Sequence, residues 1–261
     1  MGVSPFSSIF AFTTSGGVVC VSTTGNDANP GIASEPLKNI QTAFTRMVAG
    51  DTVKVAMGTY AEGLVTSAAG YLRGGYSGSF SEAERNIFSS ATKIQAVSST
   101  MLYDNFGLNV DGCVFDGGTS VASIGLDLRK SVTISHNVFK NVRATSANAV
   151  ILNLPSVIVN NTFYTCYYAL WLNSGAVGST IKNNVITHNT FGFYNMAADG
   201  LTSYNCFFSN SLANYSSGAP YRASGVGEFT ADPKYRNVPA SDLRLYETSP
   251  AIDAGDPADP A

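Results

Sequence analysis

Charged side chains are scarce in this chain: Asp, Glu, Lys and Arg make up 13% of its 261 residues, about half the usual share of a soluble domain. The formal net charge is −3, whereas nucleic-acid-binding domains are usually basic, so the sequence predicts no nucleic-acid partner. Long apolar runs are missing as well, and none approaches the roughly 18 residues that a membrane span needs. Because hydrophobic residues make up 44% of the chain, the composition argues against disorder and predicts a large core under an uncharged polar surface.

Cysteine is also sparse. The four cysteines are Cys20, Cys113, Cys166 and Cys206, and their spacing fits neither a zinc site nor a CxxC redox motif. Widely spaced single cysteines are most often small buried hydrophobic residues, and a disulfide is the alternative. The sequence predicts no metal site and no cofactor.

What the chain does contain is an internal repeat. The clear copies read VTISHNVF at 132–139, SVIVNNTF at 156–163 and STIKNNVI at 179–186, with weaker copies at 108–115 and 201–208. This register makes Asn137, Asn161 and Asn184 equivalent, with Cys113 and Cys206 at the same position in the outer copies. The copies are 22–24 residues apart, which is too short for a helix pair and predicts coils of a parallel β-solenoid with three short strands each. Because Asn tolerates left-handed backbone and can hydrogen-bond through its side chain, we expect a buried Asn ladder.

The N-terminal part departs from the repeat. A helix is predicted from Glu35-Pro36, with Pro at its first position and Gly50 at its end. Its apolar stripe consists of Leu37, Ile40, Phe44 and Met47. Such an amphipathic helix would cap the open end of a solenoid, since a terminal repeat must cover an otherwise exposed core.

Two further segments break the repeat. Residues 72–86 are expected to form a long loop, and residues 229–257 are expected to pack across the last coil or along the side of the solenoid. The sequence therefore predicts one all-β domain, a right-handed parallel β-helix with an N-terminal capping helix. Its expected parts are a cap and first coil at 1–60, stacked coils at 61–210 and a C-terminal coil or cap segment at 211–261.

Three stretches carry a family resemblance. VVCVSTTGNDANPG, PLKNIQTAF and GDTVKVAMGTYAE resemble the cap and first coil of secreted members of the right-handed parallel β-helix (pectin-lyase-like) superfamily. The repeated Asn-containing strands resemble its stacked coils, and DLRLYETSPAIDAGDP resembles a frequent C-terminal ending. The superfamily includes polysaccharide lyases, glycoside hydrolases, esterases, tailspikes and adhesins, so the resemblance implies a fold and a binding groove along one strand stack but no single activity.

The strand before each Asn-containing copy is the expected floor of that groove. If its leucines point inward, alternation sends its other side chains outward. Together with the preceding turns, this gives one candidate surface: Asp127, Arg129, Arg143, Tyr168, Trp171, His188 and Tyr194. Trp171 is the only Trp and would stack on a sugar ring, assisted by Tyr168, Arg129 and Tyr194. Packing under a loop or inside the coil is the alternative role for Trp171.

His188, Arg143 and Asp127 are the catalytic candidates. His188 could serve as a base near neutral pH, or it could be a hydrogen-bonded structural residue. Asp127 is the only carboxylate between Gly117 and Ala198, whereas this stretch carries five Lys and Arg residues. A glycosidase needs two carboxylates and a calcium-dependent lyase needs several oxygen ligands, so no catalytic residues of the pectate lyases or polygalacturonases are transferred. The cations instead suggest an acidic polysaccharide, with Arg143 neutralising a uronate, or else an ordinary solvated surface.

Three functions remain open from the sequence, of which one is an interaction protein that uses an exposed edge or end of the solenoid for assembly. The other two concern carbohydrate and structure. One is a secreted or surface β-helix that interacts with carbohydrate and degrades an acidic glycan as a lyase or hydrolase. The other is a non-catalytic adhesin, spike or structural module. The expected location is extracellular or at the cell surface, although residues 1–12 lack the positive segment of an intact signal peptide. The sequence carries no signal for an oligomeric state.

Overall fold

Three parallel sheets wind along the chain as a solenoid of about seven coils. The computed structural model describes residues 16–119, 122–194, 201–216 and 225–258. From β2 to β22, successive strands belong to the first, the second and the third sheet in turn. This is the parallel β-helix that the repeat predicted, and the fold class is confirmed.

The strands of each sheet are short and pair with the equivalent strand of the next coil. The first sheet comprises β1 (Val18–Val21), β2 (Asp51–Ala56), β5 (Gly70–Tyr76), β8 (Leu108–Asp111), β11 (Thr133–Ser135), β14 (Val157–Val159), β17 (Thr180–Lys182) and β20 (Leu201–Ser203). The second sheet comprises β3 (Gly58–Ala61), β6 (Thr92–Gln95), β9 (Cys113–Asp116), β12 (Val138–Lys140), β15 (Thr162–Tyr164), β18 (Val185–Thr187), β21 (Cys206–Phe208) and β23 (Phe229–Thr230). The third sheet comprises β4 (Leu64–Val65), β7 (Thr100–Asp104), β10 (Ile124–Leu128), β13 (Asn148–Leu152), β16 (Tyr168–Leu172), β19 (Phe191–Tyr194) and β22 (Ala213–Ser216).

The remaining elements lie outside these sheets. They are the helix α1 (Ile40–Arg46), two 3₁₀ turns at Glu82–Glu84 and Ser174–Ala176, and an antiparallel hairpin of β24 (Tyr235–Asn237) and β25 (Asp242–Leu245). No helix in the described part of the chain is long and apolar enough to cross a membrane.

In-register pairing stacks apolar residues inside the solenoid. Phe115, Phe139 and Phe163 are fully buried and stack with ring centroids 5.2 and 5.0 Å apart and nearly parallel planes. The inward residues of the third sheet follow the predicted alternation, since all six are buried: Leu126, Leu128, Val150, Leu152, Leu170 and Leu172. Burial of these repeated apolar columns supplies the main driving force for stacking coil on coil.

In four successive coils, two corners turn through left-handed backbone at residues other than glycine. At the corner between the first and second sheets, His136, Asn160, Asn183 and Tyr204 have φ of 55°, 57°, 58° and 53°. At the corner between the second and third sheets, Asn141, Thr165, His188 and Ser209 have φ of 60°, 52°, 56° and 52°. Left-handed backbone costs a non-glycine residue roughly 1–2 kcal/mol, so the residues that follow each corner must stabilise it.

The predicted Asn ladder follows the first of these corners. The Asn137 side chain donates from Nδ2 to Oδ1 of Asn161, Asn161 donates to Asn184, and Asn184 donates to Asn205, at 3.1, 3.1 and 3.0 Å. Each Oδ1 also accepts the backbone N–H of the preceding Asn in the ladder. Glu228 ends the ladder by accepting from Asn205 Nδ2 at 2.8 Å.

The assignment of Cys206 to this ladder is wrong. Asn205 occupies the position, because its coil is only 21 residues after Asn184, and Cys206 pairs with Val185 in the second sheet. Cys113 does begin the ladder, with its N–H donated to Asn137 Oδ1. All four cysteines are buried and free.

A second ladder, which the sequence analysis missed, follows the corner between the second and third sheets. The Cys166 N–H donates to Asn189 Oδ1 at 2.8 Å, Asn189 donates from Nδ2 to Asn210, and Asn210 donates to Asn214. Both ladders satisfy the buried polar groups that the sharp turns leave behind.

The helix begins later than predicted. Leu37 lies in extended backbone, because its N–H and C=O bond to Cys20 and Ser22. The helix α1 begins at Ile40, where the Glu62 carboxylate accepts the backbone N–H groups of Ile40 and Gln41 at 3.0 and 2.9 Å. It ends at Arg46, before Gly50.

The loop predicted over 72–86 is also partly wrong. Its first residues belong to β5, which pairs with β2 and β8. Gly74 and Gly75 permit this strand to bend: a Cβ on Gly74 would lie 2.5 Å from the Gly112 carbonyl oxygen, and Gly75 has φ +84°. The C-terminal segment packs along the side, where Asp256 pairs with Lys182 at 3.1 Å.

Candidate functional site

Four aromatic side chains cluster on the outer side of the third sheet. We call Tyr168, Trp171, Phe191 and Tyr194 the aromatic column. In-register pairing of β16 and β19 sets Tyr168 beside Phe191 and Trp171 beside Tyr194. The ring centroids in these two pairs are 5.1 and 4.4 Å apart, and Tyr168 also contacts Trp171 and Tyr194. The repeat therefore builds the cluster by placing aromatic residues at equivalent positions of adjacent coils.

The rings of the column differ in exposure. Tyr168 is 8% exposed, whereas Trp171, Phe191 and Tyr194 are half-buried. Loss of solvent raises the pKa of the Tyr168 phenol, and the neighbouring Tyr194 and Tyr167 add to this effect. The raised pKa favours the protonated phenol, which can both donate and accept a hydrogen bond.

A row of polar side chains runs beside the aromatic column. We call Arg129, Asp127, Asn153 and Asn173 the polar row. Arg129 pairs with Asp127 at 2.7 Å, Asn153 Nδ2 donates to Asp127 at 3.0 Å, and Asn173 Nδ2 donates to Asn153 at 2.7 Å. The Trp171 indole N–H donates to Asn173 Oδ1 at 3.0 Å and so joins the row to the column.

The structure brings five of the seven predicted site residues together. Asp127, Arg129, Tyr168, Trp171 and Tyr194 lie in the polar row or the aromatic column, and we call this pair of features the third-sheet surface. It is built entirely from strand residues and the positions directly after them, so its geometry is held by the sheet.

The other two predicted residues lie elsewhere in their coils. His188 is exposed at the corner between the second and third sheets, where its ring lies 5.2 Å from Tyr164 and 5.8 Å from Phe208. Arg143 is exposed after β12 and makes no hydrogen bond or ion pair with any described residue. No contact within the described chain joins either residue to Asp127, and their catalytic roles stay predictions.

Most of the cations of the central coils are paired with carboxylates. Besides Arg129, Lys140 pairs with Asp116 at 3.3 Å and Lys182 pairs with Asp256 at 3.1 Å. Burial alone would raise the pKa of Asp116, but bonds from Asn141, Gly118 and Lys93 and the charge of Lys140 lower it to about 2. Carboxylates outside residues 117–198 thus offset two of the four excess positive charges of the central coils, those of Lys140 and Lys182.

The sequence analysis missed one cluster of polar side chains, which consists of His136, Asp111 and Arg85. The His136 ring lies 2.9 Å, through Nδ1, from Asp111 Oδ1, and Arg85 pairs with the same carboxylate at 2.6 Å. Burial would raise the pKa of Asp111, but the His136 bond, the Arg85 charge and a bond from Ser135 lower it to about 2. A signal existed, because the repeat register already places Asp111 opposite Ser135.

The metal-binding residue types are dispersed. The two histidines occupy different corners of the solenoid. Burial raises the pKa of the Cys113 and Cys166 thiols to about 12 and that of Cys206 to about 11. Within the described ranges, no three residues among His, Cys, Asp and Glu form a group that could hold a metal ion.

Comparison with known proteins places the chain among β-helix sequences. Residues 47–227 match the family described as periplasmic copper-binding protein (NosD), and residues 23–65 match a family of unknown function, DUF1565. No curated protein matches the chain. One similar solved structure is described as the complex structure of XylC with xylose; it is 10% identical, with a TM-score of 0.40 over 77% of this chain. The chain spans 66% of the length of that protein.

Proposed function

The chain belongs to the NosD family of parallel β-helix proteins, and from this premise we propose that it is a periplasmic or cell-surface protein that binds a glycan without cleaving it. The observation that supports this most is the aromatic column lying against the polar row. Aromatic rings pack against the C–H faces of sugars, and side-chain amides can donate and accept at once, as vicinal hydroxyl groups require.

The geometry of the column limits how a sugar can bind. Since the rings of Trp171 and Tyr194 lie against each other, a sugar would pack on the part of the two rings that remains exposed. Asn153 and Asn173 are half-buried beside them. Because Asn153 Nδ2 already donates to Asp127 and Leu128, it is the second Nδ2 hydrogen of Asn173 and the Oδ1 atoms of both residues that would bond to the sugar hydroxyl groups. The strands advance about 4.8 Å per coil, so a polymer lying along the solenoid would meet one coil after another.

Binding without cleavage fits the state of Asp127. Its two carboxylate oxygens are occupied by Arg129 and Asn153. Asp127 is also the only Asp or Glu between Gly117 and Ala198, whereas glycoside hydrolysis uses a pair of carboxyl groups. The ion pairs of the central coils also reduce the support for recognition of acidic groups at this surface.

Copper does not fit the arrangement of the histidines and cysteines in the described part of the chain. Copper favours imidazole, thiolate and thioether ligands brought into one site. Here His136 and His188 lie at different corners, and the four thiols are buried separately in the coils. We therefore assign no role in the proposed function to the metal for which the family is described.

Glycan binding by the full chain tests the proposal. On an array of neutral and acidic polysaccharides, we expect retention of at least one glycan, with no release of reducing ends and no absorbance from unsaturated uronates. Trp171→Ala should weaken binding by about 1 kcal/mol, or roughly five-fold. Tyr71→Ala, which removes an exposed aromatic ring from the first sheet, is the matched control and should bind as the wild type does.

Two results would contradict the proposal. Cleavage products would show an enzyme and would return His188, Arg143 and Asp127 to consideration. Equal affinity of Trp171→Ala and Tyr71→Ala, with unchanged melting temperatures, would remove the third-sheet surface from glycan binding.

A further inference from the structure

A trough lies between the outer face of the second sheet and the hairpin β24–β25. Two adjoining cavities of about 660 and 330 Å³ share lining residues along it. Its floor is formed by one equivalent position in four successive coils, and four strands at about 4.8 Å spacing make this floor about 14 Å long. The floor residues are Val114, Val138, Thr162 and Val185.

Apolar side chains also line the trough on its other sides. Ile87 and Phe88 come from the loop before β6, and Leu243 and Leu245 come from the hairpin. Phe88 is 64% exposed, so its ring leaves a large apolar surface in water beside the floor. Three separate parts of the chain thus direct apolar groups into one space.

The hairpin segment is fixed at both ends, which holds the trough open. At one end, the Tyr235 hydroxyl lies 2.9 Å from the Thr187 hydroxyl. At the other end, Asp256 pairs with Lys182 at 3.1 Å. Between these anchors, the two strands of the hairpin pair with each other. Packed protein interiors leave few voids larger than a water molecule, so a space of this size between two apolar surfaces is too large to be a packing defect.

The cations that line the trough are paired or lie in water. Lys140 pairs with Asp116 at 3.3 Å, and Arg244 pairs with Asp242 at 2.6 Å. Arg236 is exposed, and its Nε donates to a carbonyl oxygen of the hairpin at 3.2 Å, so its charged end stays hydrated. Charge therefore offers little attraction for an ionic ligand in this trough.

The imidazole and amide groups at the rim already have hydrogen-bond partners. The His136 ring lies 2.9 Å from the Asp111 carboxylate through Nδ1 and 3.3 Å from the Asn160 amide through Nε2. Asn183 Oδ1 accepts the backbone N–H of Asp256 at 2.8 Å. A polar ligand would compete with these bonds. An apolar ligand would leave them intact and would gain free energy by removing the valine floor from water.

We propose that the trough binds the alkyl chain of a small amphiphile. The chain lies along the floor on Val114, Val138 and Val185, contacts Leu243 and Leu245 of the hairpin on its other side, and keeps its polar head group in water. The cavity volume and its mainly apolar lining are typical of small-molecule sites. This site is separate from the third-sheet surface and does not depend on glycan binding there.

Calorimetric titration of the full chain with decanol tests this site, because decanol is an uncharged single alkyl chain. Hexanol is the comparison ligand, since it has the same head group and four fewer CH₂ groups. Each CH₂ group removed from water raises the affinity by about fourfold. We therefore expect decanol to bind at least about tenfold more tightly than hexanol.

Val138→Thr tests the floor without a change of shape. Thr162 occupies the equivalent position of the next coil, so the stack accepts Thr there. The buried hydroxyl group should weaken decanol binding by about fivefold or more. Val157→Thr is the matched control, because it makes the same exchange on the first sheet between Thr133 and Thr180, and it should keep the wild-type affinity.

Leu243→Asn tests the trough from the hairpin side, at a half-buried position, and should also bind decanol more weakly. Melting temperatures identify any variant that fails to fold, and the other variant then gives the test. The proposal is overturned if decanol does not bind, if hexanol binds equally well, or if the folded trough variants bind decanol as tightly as Val157→Thr does.

Discussion

Replacing Asn161 by Leu is the sharpest test of the structure, because Asn161 lies in the middle of the first ladder. Its Oδ1 accepts from the Asn137 backbone N–H at 2.9 Å, and its Nδ2 donates to the carbonyl oxygens of Ile134 and Val159 at 2.8 and 2.9 Å. Leu has a similar branched shape but can make none of these bonds. The substitution therefore tests the hydrogen bonds with little change in packing.

The magnitude follows from the groups left unpaired. A buried N–H without a partner costs about 1–3 kcal/mol, and each lost carbonyl bond costs about 0.5–1.5 kcal/mol. For the Asn137 N–H and two carbonyls, the free energy of unfolding should fall by about 2–6 kcal/mol. At about 2–4 °C per kcal/mol for a chain of this size, the melting temperature should fall by at least about 4 °C.

Urea unfolding followed by Trp171 fluorescence measures this loss. Asn161 lies between β14 and β15, and Trp171 lies in β16, the third strand of the same coil. Asn105→Leu, at an exposed position, is the control and should change stability by less than about 0.5 kcal/mol. If the two variants unfolded at the same urea concentration, the ladder would contribute nothing and the reasoning would be refuted.

Three further predictions concern titration, thiols and copper. The pKa of Asp116 is lowered to about 2 in the folded chain from about 3.9 when unfolded. The ionised Asp116 therefore stabilises the folded chain above pH 4, and this stabilisation is lost as the pH falls towards 2. Asp116→Asn should make the stability depend less on pH in acid, and an unchanged pH dependence would contradict the lowered pKa. All four cysteines should resist a thiol reagent in the native chain and react once urea unfolds it, since they are buried with raised pKa values, whereas rapid native labelling or fewer than four thiols would contradict the structure. Stoichiometric copper should leave the melting temperature unchanged, and a rise would reveal a site that binds the folded state.

The repeat made the fold predictable, but it did not show for every coil which residue occupies the ladder position. The equivalence of Asn137, Asn161 and Asn184 follows from their spacing alone, because each coil must return to the same position in the stack. Cys206 was misassigned since its coil is shorter than the others, and only strand pairing shows that Asn205 takes the ladder position. Periodicity does not reveal where a coil loses residues.

In the candidate site too, some contacts follow from the repeat and others do not. Alternation along β16 and β19 predicted that Trp171 and Tyr194 would meet. The pairing of Lys182 with Asp256 joins residues 74 apart in sequence, and it depends on where the C-terminal segment packs. For the same reason the sequence did not show that two of the four excess positive charges of the central coils are paired, nor that the hairpin β24–β25 would lie beside the second sheet.

The first Asn ladder has a direction. Every side-chain carbonyl oxygen in it from Asn161 to Asn205 accepts from the coil on its N-terminal side, and the last amide meets the carboxylate of Glu228. The amide dipoles therefore add along the solenoid, and the anion stands where the positive ends of the dipoles point. A coil carrying Asn at this position offers the same acceptor below and the same donor above as its neighbours. Such a coil could be duplicated or deleted within the stack during evolution, whereas the coils of Cys113 and Glu228 can serve only as its two ends.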